Sequence, residues 1–255
     1  MAQTTYKELL DAGSHFGHLT RKWDPKMAPY IFMEKNGIHI IDLNKTLVSL
    51  EYAANAIRNI AKSGRKIMFV ATKKQAQEIV TTEAQRLHMP YITDRWLGGL
   101  LTNFATVRKS LKKMSTIDKM VKENTAYAAL AKREKLMMSR EREKLDRVLG
   151  GIADLGRLPA ALFVVDVKRE HIAVKEAQKL GIPVFAICDT NSNPELVQFP
   201  IPANDDASKS IQLIVSVMGK AIEEGLSERK IDKEDAERRE ADEAAIAEKQ
   251  AADEE

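Results

Sequence analysis

The chain has 255 residues, 44% of them hydrophobic and 30% charged, with a formal net charge of +3, which is enough apolar material for a sizeable core in one or two domains. Its single cysteine, Cys188, excludes an internal disulfide and lies in an apolar run as a small buried hydrophobe, which suits a reducing cytosol. No apolar segment approaches the ~20 residues of a membrane span and the N-terminus carries no targeting pattern, so no membrane association is expected.

Residues 1–30 open with a short helical pattern (Tyr6, Leu9, Leu10) and then turn irregular, with glycines, prolines and aromatics. Within them Arg21, Lys22, Trp23 and Lys26 interleave cations with an aromatic ring. That pattern suits RNA stacking and phosphate contact, and equally a solvated loop around a buried Trp. Ile38 to Ile41 reads as a short strand. Asn44 opens a helix whose apolar positions Leu47, Leu50, Ala54, Ile57 and Ala61 step by three and four until Gly64 stops it. Ile67 to Ala71 is a continuous apolar run, the mark of a strand buried on both faces. Thr72 is placed to cap the next helix, with Ala76, Ile79, Val80, Ala84 and Leu87 inward, and Tyr91-Ile92-Thr93 is a third short strand.

The run Asp94-Arg95-Trp96-Leu97-Gly98-Gly99-Leu100-Leu101-Thr102-Asn103-Phe104 follows. Paired glycines make a tight turn, and Thr102 occupies a helix N-cap position. Gly98, Gly99 and Thr102 therefore offer N–H groups that could cradle a phosphate, or the turn merely reverses the chain. Arg95, Trp96 and Asn103 beside it, and Arg108, Lys109, Lys112 and Lys113 on the helix behind it, favour RNA contact over a plain reversal.

Residues 103–152 break the strand–helix alternation. Phe104, Val107, Leu111, Met114 and Val121 make one helical stripe, and Tyr127, Leu130, Met137, Leu145, Val148 and Ile152 make another, with Glu123-Asn124-Thr125 as the turn. The expectation is an antiparallel coiled-coil hairpin projecting ~30 Å from the sheet domain. Between Ala105 and Leu149 it carries 13 Lys/Arg against 6 Asp/Glu, a cationic excess that a merely soluble helix face does not need.

Ala161 to Val165 and Val184 to Cys188 are two more buried strands, with a helix from about Glu170 to Leu180 between them. A last helix is expected from near Asn204-Asp205-Asp206 to about Glu224. The fold class is therefore α/β: a doubly wound parallel sheet, residues 1–102 and 153–226, with residues 103–152 inserted as a helical hairpin. Residues 227–255 are an acidic, disordered tail on this reading. From Glu223 on there are 14 acidic and 6 basic residues, leaving the first 222 residues at +11, and a basic body with an acidic tail points to a nucleic-acid partner.

Sheets of this class gather ligands at the carboxyl ends of their strands. Asp189, Asp205 and Asp206 fall there, and His15 and His18 lie three apart upstream. His18, Asp189, Asp205 and Asp206 are the candidate set for one structural divalent ion, zinc or magnesium, and no cofactor is otherwise required. The competing reading has the aspartates capping helices and the histidines packing under aromatics. No Gly-x-Gly-x-x-Gly follows the first strand, Ser63-Gly64-Arg65-Lys66 lacks P-loop spacing, and no nucleophile–base pair is evident. An enzyme is not expected. The alternative kept open is a flavodoxin-like phosphate-handling enzyme using the Gly98-Gly99 turn.

The Asp94–Asn103 run resembles the signature of the second ribosomal protein of the small subunit, the S-two family. Gly13-Ser14-His15-Phe16-Gly17-His18 with Trp23-Asp24-Pro25-Lys26-Met27 resembles that family's N-terminal motif. Leu180-Gly181-Ile182-Pro183-Val184, Asp189-Thr190-Asn191 and Ile201-Pro202-Ala203-Asn204-Asp205-Asp206 resemble its C-terminal one, with Ala203 standing where the family pattern has glycine. The resemblance runs in order from about residue 5 to 225. It implies a Rossmann-like or flavodoxin-like body and a structural part in the small ribosomal subunit, in bacterial cytoplasm, the hairpin marking the bacterial branch. It further implies small-subunit rRNA and neighbouring ribosomal proteins as partners, among them the large OB-fold mRNA-binding protein (S-one), and no small-molecule substrate.

Overall fold

The structure, a computed structural model, describes residues 4–123 and 130–253. A capping box between Thr5 and Glu8 opens α1 (Tyr6–Asp11). After it come β1 (Phe16–Leu19), β2 (Ile31–Lys35) and β3 (Ile38–Ile41), an antiparallel sheet in the order β1-β3-β2. Only β3 is evident in the sequence. Residues 1–30, expected to turn irregular after the first helical pattern, hold β1, and β2, which follows them, shows no inward–outward alternation because Phe32 to Lys35 are all exposed.

The main sheet is five parallel strands, β4 (Ile67–Val70), β5 (Tyr91–Ile92), β6 (Ala161–Val165), β7 (Val184–Cys188) and β8 (Phe199–Pro202), in the order β5-β4-β6-β7-β8. β4, β6 and β7 are buried along their whole length, as continuous apolar runs demand. Their side chains alternate between two cores. Ile67, Phe69, Phe163, Val165, Phe185 and Ile187 meet the apolar faces of α2 (Leu43–Lys62), α3 (Lys74–Arg86) and the start of α7 (Ser208–Asp253). Met68, Val70, Leu162, Val164, Val184 and Ala186 meet α6 (His171–Lys179) and the roots of α4 (Phe104–Glu123) and α5 (Lys132–Leu149). Helices on both faces of a parallel sheet are in keeping with the doubly wound arrangement expected. Among the described residues no helix is long and apolar enough to cross a membrane.

Several boundaries differ from expectation for identifiable reasons. β8 was not expected because Pro200 and Pro202 fall within it; an edge strand tolerates prolines that a central strand cannot. Lys73, not Thr72, occupies the N-cap slot of α3, and the Thr72 hydroxyl goes to Glu170 at 2.5 Å. α4 begins at Phe104, so Thr102 lies upstream of its cap, and Asn103 takes the place beside it, accepting from the Thr106 hydroxyl at 2.9 Å. α7 continues to Asp253 where a stop near Glu224 and a disordered tail were expected. Lys62 reaches Glu228 at 3.5 Å and Asp232 at 3.0 Å, which extends its contact with α2 past the apolar core. Beyond that, Ala, Glu, Lys and Arg are strong helix formers.

α4 and α5 are joined by ion pairs from Lys113 to Glu141 and from Arg142 Nε to Asp118 Oδ1 at 2.8 Å. Leu111, Met114 and Leu149 are buried against the second core, so this end of the pair packs on the sheet face. Ile117, absent from the expected stripe, is buried, while Val121 and Met137 are exposed. Asn124, Thr125 and Tyr127 of the expected turn and second stripe lie outside the described residues.

Candidate functional site

The strand order reverses between β4 and β6, and the loops at the carboxyl ends of the sheet bring charged side chains together there. Lys73 follows β4, Asp166 follows β6, Asp189 follows β7, and Asp205 and Asp206 follow β8. The Lys73 ammonium lies 2.6 Å from Asp205 Oδ1, 2.6 Å from Asp206 Oδ1 and 3.7 Å from Asp166 Oδ2. His18 arrives from β1, its Nδ1 3.0 Å from Asp189 Oδ2 and its Nε2 3.4 Å from Asp206 Oδ2. Ligand atoms of His18, Asp189 and Asp205 lie within 4.8 Å of one another. Asp205 is fully buried, and its Oδ2 has no hydrogen-bond partner among the described residues.

The protonation pattern follows from this crowding. Burial pushes Asp205 up to about 7, helped by the Asp189 and Asp166 carboxylates and opposed by Lys73. Burial also acts on Asp206, but its hydrogen bond to Lys73 wins and holds it below the usual carboxylate range. His18 is raised, chiefly by its hydrogen bond to Asp189. Burial disfavours the Lys73 ammonium, and the surrounding carboxylates more than reverse this.

Backbone contacts hold the N-terminal segment onto these loops. The His18 N–H donates to Thr190 Oγ1 at 2.8 Å, the Asp24 N–H to the Thr190 carbonyl at 2.8 Å, and the Asn204 N–H to the Ser14 carbonyl at 3.0 Å. A Cβ on Gly17 would fall 2.6 Å from Thr190 Cγ2 and 2.9 Å from the His39 carbonyl, so this approach requires glycine. His15 stays outside the cluster, its ring 4.0 Å from Phe16. Asp205 and Asp206 do not cap α7 through their side chains. Asn204 Oδ1 accepts from the Asp206 and Ala207 N–H groups at 2.8 and 3.1 Å, leaving both aspartates free to face Lys73.

The Gly98-Gly99 turn carries its own anion. Glu176 of α6 sits in it and accepts from the N–H groups of Gly99 at 2.7 Å, Leu101 at 3.0 Å and Thr102 at 3.0 Å, from the Thr102 hydroxyl at 3.2 Å and from the Trp96 indole at 3.1 Å. The phosphate cradle expected at Gly98, Gly99 and Thr102 is thus filled from within. Trp96, expected to face RNA, is buried with its N–H engaged. Gly98, Asn103 and Arg95 remain exposed. Burial pushes the Glu176 carboxyl up, and its donors outweigh this and leave it below the ordinary range. A depressed carboxylate stabilises fully above its unfolded pKa of about 4.3 and loses that contribution as pH falls through the folded value. In a Trp23→Phe chain, where Trp96 is the sole indole, acidification below about pH 4 should red-shift the emission of Trp96 as this hydrogen bond is lost; emission constant down to global unfolding would refute the assignment.

The remaining cations divide by their partners. Arg21, Lys22 and Trp23 are exposed, and Trp23 leans on His39 at 5.1 Å. Lys26 is drawn to Glu195 at 2.9 Å. On α4, Arg108, Lys109 and Lys112 are exposed, with no ion pair among the described residues, whereas Lys113 pairs with Glu141.

The family described as Ribosomal protein S2 matches residues 9–225, most of the chain and all of this site. The chain belongs to that family. Three curated relatives, each named small ribosomal subunit protein uS2, are similar over nearly their whole length. The one from Cytophaga hutchinsonii is 70% identical over 94% of both chains. That from Flavobacterium johnsoniae is 64% identical over 89% of both, and that from Bacteroides thetaiotaomicron 60% identical over 93% of this chain and 85% of its own. Membership in a family of structural proteins bears out the expectation of no enzyme.

Two residues central to these clusters are not announced by the sequence pattern, Lys73 and Glu176. Lys73 stands in Thr72-Lys73-Lys74 like an ordinary helix-start cation, and nothing local marks it as buried. Glu176 did leave a signal. It falls among Ala173, Val174 and Ala177 on the buried face of α6, where an unpaired carboxylate would be costly.

Proposed function

We propose that the chain is a structural constituent of the small subunit of a bacterial-type cytoplasmic ribosome, where it binds small-subunit rRNA and helps dock neighbouring proteins, the large OB-fold mRNA-binding protein among them. The observation that carries RNA binding is the exposed cationic strip Arg108, Lys109 and Lys112 on α4, without an ion pair among the described residues, in a family whose members are named for the ribosome. Residues 103–152 act in this proposal as the coiled-coil hairpin and residues 1–102 with 153–226 as the sheet domain. Arg21, Lys22, Trp23 and Lys26, together with Arg95, Gly98 and Asn103, extend the contact surface. Phosphates dominate such an interface, since exposed Lys and Arg neutralise backbone charge whatever the sequence. Crosslinking of assembled subunits, mapped by mass spectrometry, should place α4 peptides on rRNA. Crosslinks confined to the sheet domain would remove the hairpin from the interface. The phosphate-handling alternative is not favoured, because Glu176 occupies the turn on which it depends.

The residues His18, Asp189 and Asp205 suit a divalent ion, and the partnerless Asp205 Oδ2 gives it a free ligand atom. Asp206, shared between His18 and Lys73, would complete the set from its outer side. Zinc and magnesium both accept carboxylates, and the imidazole inclines the set toward zinc. The ion would hold β1 to the loops after β7 and β8 and so shape the surface offered to a protein neighbour. Purified chain should contain about one ion, and chelation should weaken binding of the OB-fold partner by tenfold or more. Metal-free chain that binds this partner normally would remove the ion from the docking role.

A further inference from the structure

The turn that launches α4 is built around a side chain from a different element. Glu176 lies on α6, 75 positions or so along the chain from the groups it binds, and it is 8% exposed. Five donors converge on its two oxygens: three backbone N–H groups, a hydroxyl and an indole N–H. Gly99 needs φ +86 for this curl of the backbone, a conformation that favours glycine. The last of the bonded N–H groups, on Thr102, is two residues before the first residue of α4. Every rotation of α4 about its root must therefore move N–H groups fixed to α6. Leu111 and Met114 of α4 also pack on the second core, a contact without direction, and the charged pair nearby is weaker, an exposed one from Arg147 Nε on α5 to Asp94 Oδ2 at 3.5 Å.

We infer that Glu176 is a positioning residue, a carboxylate latch that fixes the direction in which α4 leaves the sheet domain and so presents Arg108, Lys109 and Lys112 as a preset strip. The inference rests on the reading of α4 as an RNA-binding element, but its first consequence needs no RNA. A carboxylate accepts at both oxygens, whereas an amide must turn an NH2 group toward one set of donors. Glu176→Gln therefore keeps shape and loses the latch. Buried donors left facing an NH2 group lose their hydrogen bonds and gain repulsion, which frees the root of α4 to tilt.

The test is a spin–spin distance on the full chain, labelled at Glu78→Cys on α3 and Lys119→Cys on α4. Both sites are exposed, and the native Cys188 is buried and escapes labelling. The parent should give one narrow distance distribution. Glu176→Gln should at least double its width while far-UV circular dichroism stays at the parent value, and affinity for small-subunit rRNA should fall about tenfold. A folded Glu176→Gln chain with the parent's narrow distribution would overturn the latch. If Glu176→Gln does not fold, Trp96→Phe removes one donor and keeps the ring in the core: a widened distribution supports the latch, and an unchanged one overturns it. Widening with unchanged RNA affinity supports the latch and instead defeats the RNA reading of α4.

Discussion

Replacing Arg108, Lys109, Lys112 and Lys113 together by glutamine should lower the affinity of the full chain for small-subunit rRNA about 10²–10³-fold near 0.1 M salt and flatten its salt dependence. The magnitude follows from counterion release. Each phosphate neutralised on a duplex contributes ~0.9 to the slope of log K against log salt, and near 0.1 M each such contact is close to tenfold. Four residues change, but Lys113 already serves Glu141, so the slope should fall by about 3 rather than about 4. Glutamine ranks with lysine and arginine as a helix former, so the helix itself should survive, as circular dichroism can check. The fall should be uniform across rRNA fragments, because phosphate contacts position without reading sequence. Lys179→Gln, on exposed surface at the end of α6, serves as the control. A slope equal to the parent's would take α4 out of the RNA interface.

The sheet was legible where burial alone decides structure. β4, β6 and β7 are buried on both faces, so their sequences are unbroken apolar runs, and α2 and α3 show their inward stripes plainly. What escaped was set by tertiary placement. β8 is written with two prolines and is a strand only because it lies at an edge. β1 and β2 are short, and pair through β3 with shifts in register, so no alternation announces them. The candidate site was half legible for the same reason. Aspartates at strand ends can be placed from topology, and His18 does meet Asp189. A buried lysine looks like any other lysine until the fold surrounds it. The Gly-Gly turn had the right chemistry for an anion, but its anion proved to be a side chain supplied from α6. A glycine nest read in sequence is a statement about donors, and it leaves open whether the acceptor comes from outside or from the chain itself.

Lys73→Met should be the most destabilising single change at the carboxyl end of the sheet, about 2–3 kcal/mol by urea unfolding in chelator at pH 9, where Asp205 cannot escape the loss by taking up a proton, and much less near pH 7. The Lys73 side chain is 9% exposed, and of its two acceptors at 2.6 Å one, Asp205, is fully buried. Removing the ammonium leaves Asp205 beside Asp166 and Asp189 with no cation at its inner face, and breaking a buried pair costs more than the pair contributes. Asp206 is 54% exposed, so water takes over its share and it adds little to the loss. Methionine fills the space of the lysine stem without a cavity, so the loss reports charge rather than packing. The same variant examines the cation site. With Lys73 gone, both oxygens of Asp205 are open, and a divalent ion present at about a hundredfold its dissociation constant should restore about 2.7 kcal/mol by mass action. Lys73→Met within 0.5 kcal/mol of the parent in chelator at pH 9, about the scatter of a neutral surface change, would show that the carboxylates need no internal cation. A large loss that zinc and magnesium both fail to reduce would show instead that the cluster is built for the ammonium alone.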